Sequence, residues 1–327
     1  MSVKTVLEAI RDGLRQEMER DERVFVMGED IGLRGGVFLA TDGFIETFGE
    51  ERVIDTPLAE SSIAGIALGA AVNGMRPVAE IEFADFIWPA INQLVGEAAK
   101  VRYGTNGRKS APMVVRVPYG GGVRGGLYHS QSVEVIFSHT PGLTVVAPST
   151  AYDAKGLLIS AIRSNDPVIF LEHKRTYRMV QGEVPDERYT IKIGKAEVKR
   201  KGEDLTVISY GLMVHYCLEA ARQVEADGID VEVVDLRTLR PLDINTLIDS
   251  ARRTSKVLIV QEDTGAVSIG SEVAATISSN AFFELDAPVM RIAGPEIPPM
   301  PFSPLLEAAF IPSPAKISDA MRDLAYY

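Results

Sequence analysis

Two successive series of short apolar runs, each interrupted by helical patterns, constrain this chain more than any other feature. In the first half the runs are Val24–Met27, Val53-Ile54, Pro77–Phe83, Met113–Val117, 143–147 and Val168–Leu171. Helical patterns lie between them at 61–75, 88–102, 132–139 and 150–164. In the second half, strands at 205–209, 230–234, 256–261 and 288–292 alternate with helices at 212–227, 243–253 and 270–279. Strands this short and this apolar are buried on both faces, which calls for parallel sheets covered by crossover helices. A chain of 327 residues also exceeds one ordinary core. The fold class is therefore α/β: two domains with mainly parallel sheets, at 1–180 and 204–327. A polar linker at 181–203, with Gly182, Pro185 and Gly202, joins them and includes a short strand or two.

Local signals support this layout. Thr5-Val-Leu-Glu8 is a capping box, and Val6, Ile10, Leu14 and Met18 form one apolar stripe behind it. Two glycine-rich stretches, Gly28–Gly36 and Gly120–Gly126, read as loops, the second a mobile one. A net charge of −11 argues against nucleic-acid and anionic-membrane partners. No stretch supplies the ~20 apolar residues of a membrane span, and Met1–Thr5 lacks a signal-peptide layout. A lone cysteine, Cys217, excludes an internal disulfide and suits a reducing cytoplasm.

In open parallel sheets the ligand crevice lies beyond the carboxyl ends of the strands. Glu29, Glu60, Phe86 and the 120–131 loop each follow a strand. Glu60 ends Asp55-Thr-Pro-Leu-Ala-Glu60 and opens a helix of small apolar residues, 61–75. Two readings stand open: a first-turn glutamate offsetting the helix dipole, or a buried carboxyl whose raised pKa suits proton transfer. Phe86 is either core packing or a stacking platform for a flat heterocycle. His129, in Gly125-Gly-Leu-Tyr-His-Ser-Gln131, sits on a loop with little side chain to pack against, whereas His139, His173 and His215 lie in ordinary elements. The glycine runs lack the Gly-Lys-Ser/Thr ending of a P-loop and the strand–GxGxxG–helix context of a dinucleotide site.

Together, Gly28-Glu-Asp-Ile-Gly32, Asp55–Glu60, Glu82-Phe-Ala-Asp-Phe86, Tyr128-His-Ser-Gln131 and Asp235-Leu-Arg-Thr-Leu-Arg-Pro241 resemble the beta subunit of thiamine-dependent 2-oxo acid dehydrogenases. Phe-Ala-Asp-Phe and Tyr-His-Ser-Gln are more similar to the branched-chain enzyme than to the pyruvate enzyme. The resemblance implies a thiamine pyrimidine-binding domain followed by a transketolase C-terminal-like domain. It implies that Glu60 shares a proton with N1′ of the cofactor's aminopyrimidine, promoting removal of the thiazolium proton. It implies that Phe86 stacks on that ring, that Leu58 and Glu29 line the pocket, and that His129 serves transfer of the acyl group to a lipoyl arm. It also implies a potassium site at Ala111, Met113, Val114, Ala161, Ser164 and Asp166.

Thiamine diphosphate requires Mg²⁺, which the family holds through a Gly-Asp-Gly motif, and no Gly-Asp-Gly occurs here. The resemblance therefore implies an alpha subunit holding the Mg²⁺ in an α₂β₂ heterotetramer, and a lipoyl acyltransferase core as a further partner. The small residues Gly65, Ala67, Gly69, Ala70 and Ala71 would let another element approach closely, within the domain or from another chain. The expected activity is oxidative decarboxylation of branched 2-oxo acids, with the pyruvate dehydrogenase beta subunit as nearest alternative. A nicotinamide-binding oxidoreductase and a non-catalytic scaffold subunit are more distant ones.

Overall fold

The computed structural model describes all 327 residues and divides into two compact units. Met1–Tyr119 with Ile136–Ile193 forms the first, and Gly120–Val135 with Gly194–Tyr327 the second.

In the first unit, β1 (Ser2–Thr5) leads into α1 (Val6–Arg20), followed by β2 (Val24–Gly28), α2 (Phe44–Phe48), β3 (Val53–Asp55), α3 (Glu60–Val72) and β4 (Arg76–Glu80). After α4 (Val101–Gly104) come β5 (Val114–Tyr119), α5 (Glu134–Ser138), β6 (Thr144–Val146), α6 (Ala151–Arg163), β7 (Val168–His173), α7 (Thr176–Met179) and β8 (Gln181–Val184). The strands lie in the order β6-β7-β5-β4-β2-β3, all parallel, while β1 and β8 pair antiparallel apart from them. The capping box forms as the spacing predicts: Thr5 accepts from the Glu8 N–H, and the Thr5 N–H donates to Glu8. The stripe Val6, Ile10, Leu14 and Met18 is buried against Ala154, Leu157, Leu158 and Ala161 of α6. Removing that much apolar surface from water contributes about 1.5–3 kcal/mol per large side chain.

The helix expected at 88–102 is not continuous. It is built from 3₁₀ turns at Trp88–Ala90 and Ala98–Lys100, a π-turn at Asn92–Glu97 and the single α-turn of α4. Pro89 in the first turn removes a backbone donor, and Gly96 sits inside the π-turn, so the segment lacks a regular i→i+4 ladder.

The second unit runs β9 (Glu197–Arg200), β10 (Leu205–Ser209), α8 (Leu212–Glu225), β11 (Val231–Asp235), β12 (Thr238–Arg240), α9 (Ile244–Thr254), β13 (Val257–Thr264), α10 (Ile269–Ala281), β14 (Met290–Gly294), α11 (Pro304–Phe310) and α12 (Pro314–Ala325). Its five-stranded sheet has the order β14-β13-β10-β11-β9, parallel except for β9. Helices α8 and α12 pack together on it, burying Cys217, Val224, Ile317 and Met321. Burial pushes the Cys217 thiol up to about 12, so it remains a neutral core side chain. No helix of either unit is long and apolar enough to cross a membrane.

Candidate active site

Three neighbouring strand ends build the acidic crevice of the first unit. Gly28, the last residue of β2, is in register with Asp55 of β3 on one side and Glu80 of β4 on the other. Glu29 therefore leaves the sheet between the segment that enters α3 and the segment carrying Glu82. Asp55 ties this edge down: its Oδ1 accepts the Gly32 N–H at 2.6 Å, and a Cβ on Gly32 would lie 2.4 Å from its Oδ2. Only glycine fits there.

Glu60 is the first residue of α3. It makes no hydrogen bond or ion pair within the chain and is half-buried, between the two readings that the sequence leaves open. The elements of this chain cover only part of the helix start, so solvent still reaches the carboxyl. Glu29 has its pKa raised by burial, then by the charges of Asp30 and Glu60. Glu82 is pushed up to about 7, again by burial first, then by Glu29, Glu80, Asp30 and Glu60. The crevice is thus rich in carboxylates that resist further negative charge and hold protons readily.

Phe86 closes a 3₁₀ turn, Ala84–Phe86, just past β4. Its half-buried ring meets Phe83 at 5.9 Å with an interplanar angle of 82°. Phe83 is fixed in turn by Phe38 at 5.6 Å and by the Lys174 ammonium 5.7 Å from its centroid. Leu58, between β3 and α3, is 71% exposed. Within the sheet, the Arg116 guanidinium donates to both oxygens of Glu172 at 2.7 Å and also to Glu80. Tyr177 donates its hydroxyl to Glu172 at 2.5 Å.

His129 belongs to the second unit. It follows a 3₁₀ turn at Gly126–Tyr128 and is half-buried. The loop carrying it was expected to be mobile, but it is tethered. The Gly120 N–H donates to the Gln131 carbonyl at 3.0 Å, closing the loop on itself. Glu262 accepts the Gly121 N–H at 2.6 Å, and Glu307 accepts the N–H groups of Gly122 and Arg124, both at 3.0 Å. Amides already committed to carboxylates do not form a phosphate cradle, which disposes of that reading of the glycine run. The glycines serve close packing instead: a Cβ on Gly121 would fall 2.0 Å from Met300 Sδ, and one on Gly125 2.5 Å from the His129 carbonyl oxygen.

Residues 3–180 match the pyrimidine-binding domain of transketolase, and residues 194–317 its C-terminal domain. The chain is 60% identical to the 2-oxoisovalerate dehydrogenase subunit beta of Bacillus subtilis over the full length of both. It is 49% identical to the pyruvate dehydrogenase E1 component subunit beta of the same organism, over 98% of each chain. The chain belongs to the family of 2-oxo acid dehydrogenase beta subunits. A solved split-gene transketolase, an inactive beta4 tetramer, superposes with a TM-score of 0.81 over 99% of this chain and 98% of its own, at 23% identity. That likeness concerns the fold.

This beta subunit's crevice fits one end of thiamine diphosphate and not the other. A protonatable aminopyrimidine suits an unpaired carboxyl such as Glu60, set close to Glu29 and Glu82. A diphosphate does not suit a set of carboxylates that already raise one another's pKa values. At the six positions expected to hold potassium, several oxygens already have partners within the chain. The Asp166 carboxylate is paired with Arg102, and the Ser164 carbonyl accepts from the Arg76 guanidinium at 2.8 Å. The carbonyls of Ala111, Met113 and Ala161 accept backbone N–H groups.

Sequence reasoning did not single out Glu82 or Glu134, two carboxyls whose pKa values burial raises. The rule that picked out Glu29, a carboxylate just past a strand end, would have found Glu82. Nothing local marks Glu134, whose neighbours are Tyr210, just past β10, and acids of β13.

Proposed function

We propose that the chain is the beta half of a branched-chain 2-oxo acid dehydrogenase, which decarboxylates branched 2-oxo acids and passes the acyl group to a lipoyl arm. The observation that carries this reading is the full-length likeness to the 2-oxoisovalerate dehydrogenase subunit, closer than that to the pyruvate enzyme's subunit. When bound, thiamine diphosphate supplies the carbon nucleophile that adds to the 2-oxo carbon and accepts the electron pair released with carbon dioxide. Glu60, unpaired within the chain, holds a proton at the ring nitrogen N1′. Phe86 fixes the plane of that ring, and Leu58 and Glu29 line its surroundings. His129 supplies the proton needed at a dithiolane sulfur when the acyl group moves to the lipoyl arm.

The acidic crevice supports a divided site, in which an alpha subunit holds the diphosphate and its Mg²⁺ and completes an α₂β₂ tetramer. Leu58 and the exposed Ile66 of α3 are apolar groups that such a partner would cover. A lipoyl acyltransferase core is the further partner, and the cytoplasm the compartment.

The enzyme reconstituted with its alpha subunit tests this. Turnover should be faster with 3-methyl-2-oxobutanoate than with pyruvate, and the reverse order would sink the substrate assignment. Glu60→Gln should lower decarboxylation by about 10²-fold or more while the tetramer still assembles. His129→Ala should cut lipoyl acylation far more than decarboxylation read with an artificial electron acceptor. Equal losses would remove the histidine from the transfer step.

A further inference from the structure

We propose that Glu134 is a positioning residue for the acyl-transfer step, fixing the exit of the His129 loop through Tyr210. This rests on the role assigned to His129 above. Glu134 lies five residues beyond the histidine, at the start of α5, and is 1% exposed. Its Oε1 accepts the Tyr210 hydroxyl at 2.6 Å, while its Oε2 is buried with no hydrogen-bond partner. Its own backbone N–H also reaches the carboxyl, and the charges that act on it most strongly are those of the acids Asp263 and Glu262 of β13.

An ionised carboxylate cannot be left in that setting with one bare oxygen, because its desolvation would be uncompensated. Burial first, and then the charge of Asp263, push the Glu134 pKa well above the usual carboxylate range. Burial likewise raises Asp263, with Glu262 adding to it. At neutral pH Glu134 is therefore the neutral acid, and its one strong contact is the phenol hydroxyl.

The two ends of the loop are consequently held by different chemistry. The entry hangs on Glu262 and Glu307, which accept backbone N–H groups. The exit hangs on a carboxyl that must keep its proton. Raising the pH strips that proton and sets Glu134 against Glu262 and Asp263. The repulsion loosens the exit while Glu307 still holds the entry, and His129 lies between the two anchors.

Hydrogen–deuterium exchange across residues 120–131 of the assembled enzyme, at neutral and alkaline pH, reads the loop independently of activity. The wild type should lose protection on the alkaline side. Glu134→Gln, which stays neutral and still accepts from Tyr210, should keep its protection there and retain at least half of the neutral-pH acylation rate. Glu134→Ala should lose protection already at neutral pH and lower acylation at least tenfold, with decarboxylation reduced less than threefold. Tyr210→Phe removes the hydroxyl that anchors Glu134 and should lower protection already at neutral pH, by less than Glu134→Ala does; it also stands in if the alanine variant does not fold. Protection in Glu134→Gln that falls with pH as in the wild type would overturn the proposal. So would unchanged protection in both Glu134→Ala and Tyr210→Phe. A His129→Ala enzyme with normal acylation would instead sink the histidine's role and leave the exchange result standing.

Discussion

Each unit buries carboxylates in or near its parallel sheet, and the two do so with opposite chemistry. In the first, Arg116 grips Glu172 with two nitrogens and Glu80 with a third, and Tyr177 adds a hydroxyl to Glu172. In the second, the buried Glu134 carboxyl is held by the Tyr210 phenol and by no guanidinium. A guanidinium stays charged at any working pH, so Glu172 is compensated throughout the range in which the enzyme operates. One cation does not neutralise two acids, however. Burial still raises the pKa of Glu80 against the pull of Arg116, whose own pKa its two acidic partners hold above the usual value. Glu134 in the second unit has no such cation beside it, and its charge answers to pH. The difference teaches that one kind of buried group can serve as fixed scaffold or as titrating element, depending on whether a cation reaches it.

Breaking the first arrangement should give the largest effect. Arg116→Met strands Glu80 and Glu172 in the sheet, and a loss of about 3–5 kcal/mol is expected by chemical denaturation. Midpoints within error of wild type would show that the network contributes little. Tyr177→Phe, which leaves both ion pairs intact, should cost about 1 kcal/mol, comparable to one hydrogen bond.

The second arrangement should appear as a slope of stability with pH. A carboxyl whose folded pKa is raised binds more protons folded than unfolded, so its contribution is fully present below the unfolded value. It is lost as pH rises through the raised folded value. Wild type should thus lose stability from weakly acid to weakly alkaline pH through Glu134, and Glu134→Gln should reduce that slope. An identical slope in the two proteins would mean that Glu134 does not carry it. The smallest effect should come from Glu82→Gln, which removes a carboxyl that gains its charge near neutral pH in a half-open crevice. There the pH–rate profile should move by a few tenths of a unit around neutrality, and a wild-type profile would leave Glu82 outside the proton chemistry.

Much of this was legible in the chain itself. The strand–helix alternation gave both parallel sheets, and the Thr5–Glu8 spacing gave a helix start that forms as read. Asp55–Glu60 placed a carboxyl at a strand-to-helix turn. These signals are local: periodicity, capping and turn chemistry act between residues a few positions apart. The short helices α11 and α12 near the end of the chain escaped the reading, as did the discontinuity at 88–104.

Tertiary structure decided what those residues experience. Glu134 and Tyr210 are 76 positions apart, and Gly121 and Glu262 are 141 apart, yet both pairs are hydrogen-bonded. Only folding could show that the glycine loop is tethered, that Glu60 is half-open and unpaired, and that Glu82 titrates near neutrality. Desolvation and charge act through space and depend on which side chains the fold brings together, so the pattern along the chain fixes the scaffold while the packing fixes the proton affinities.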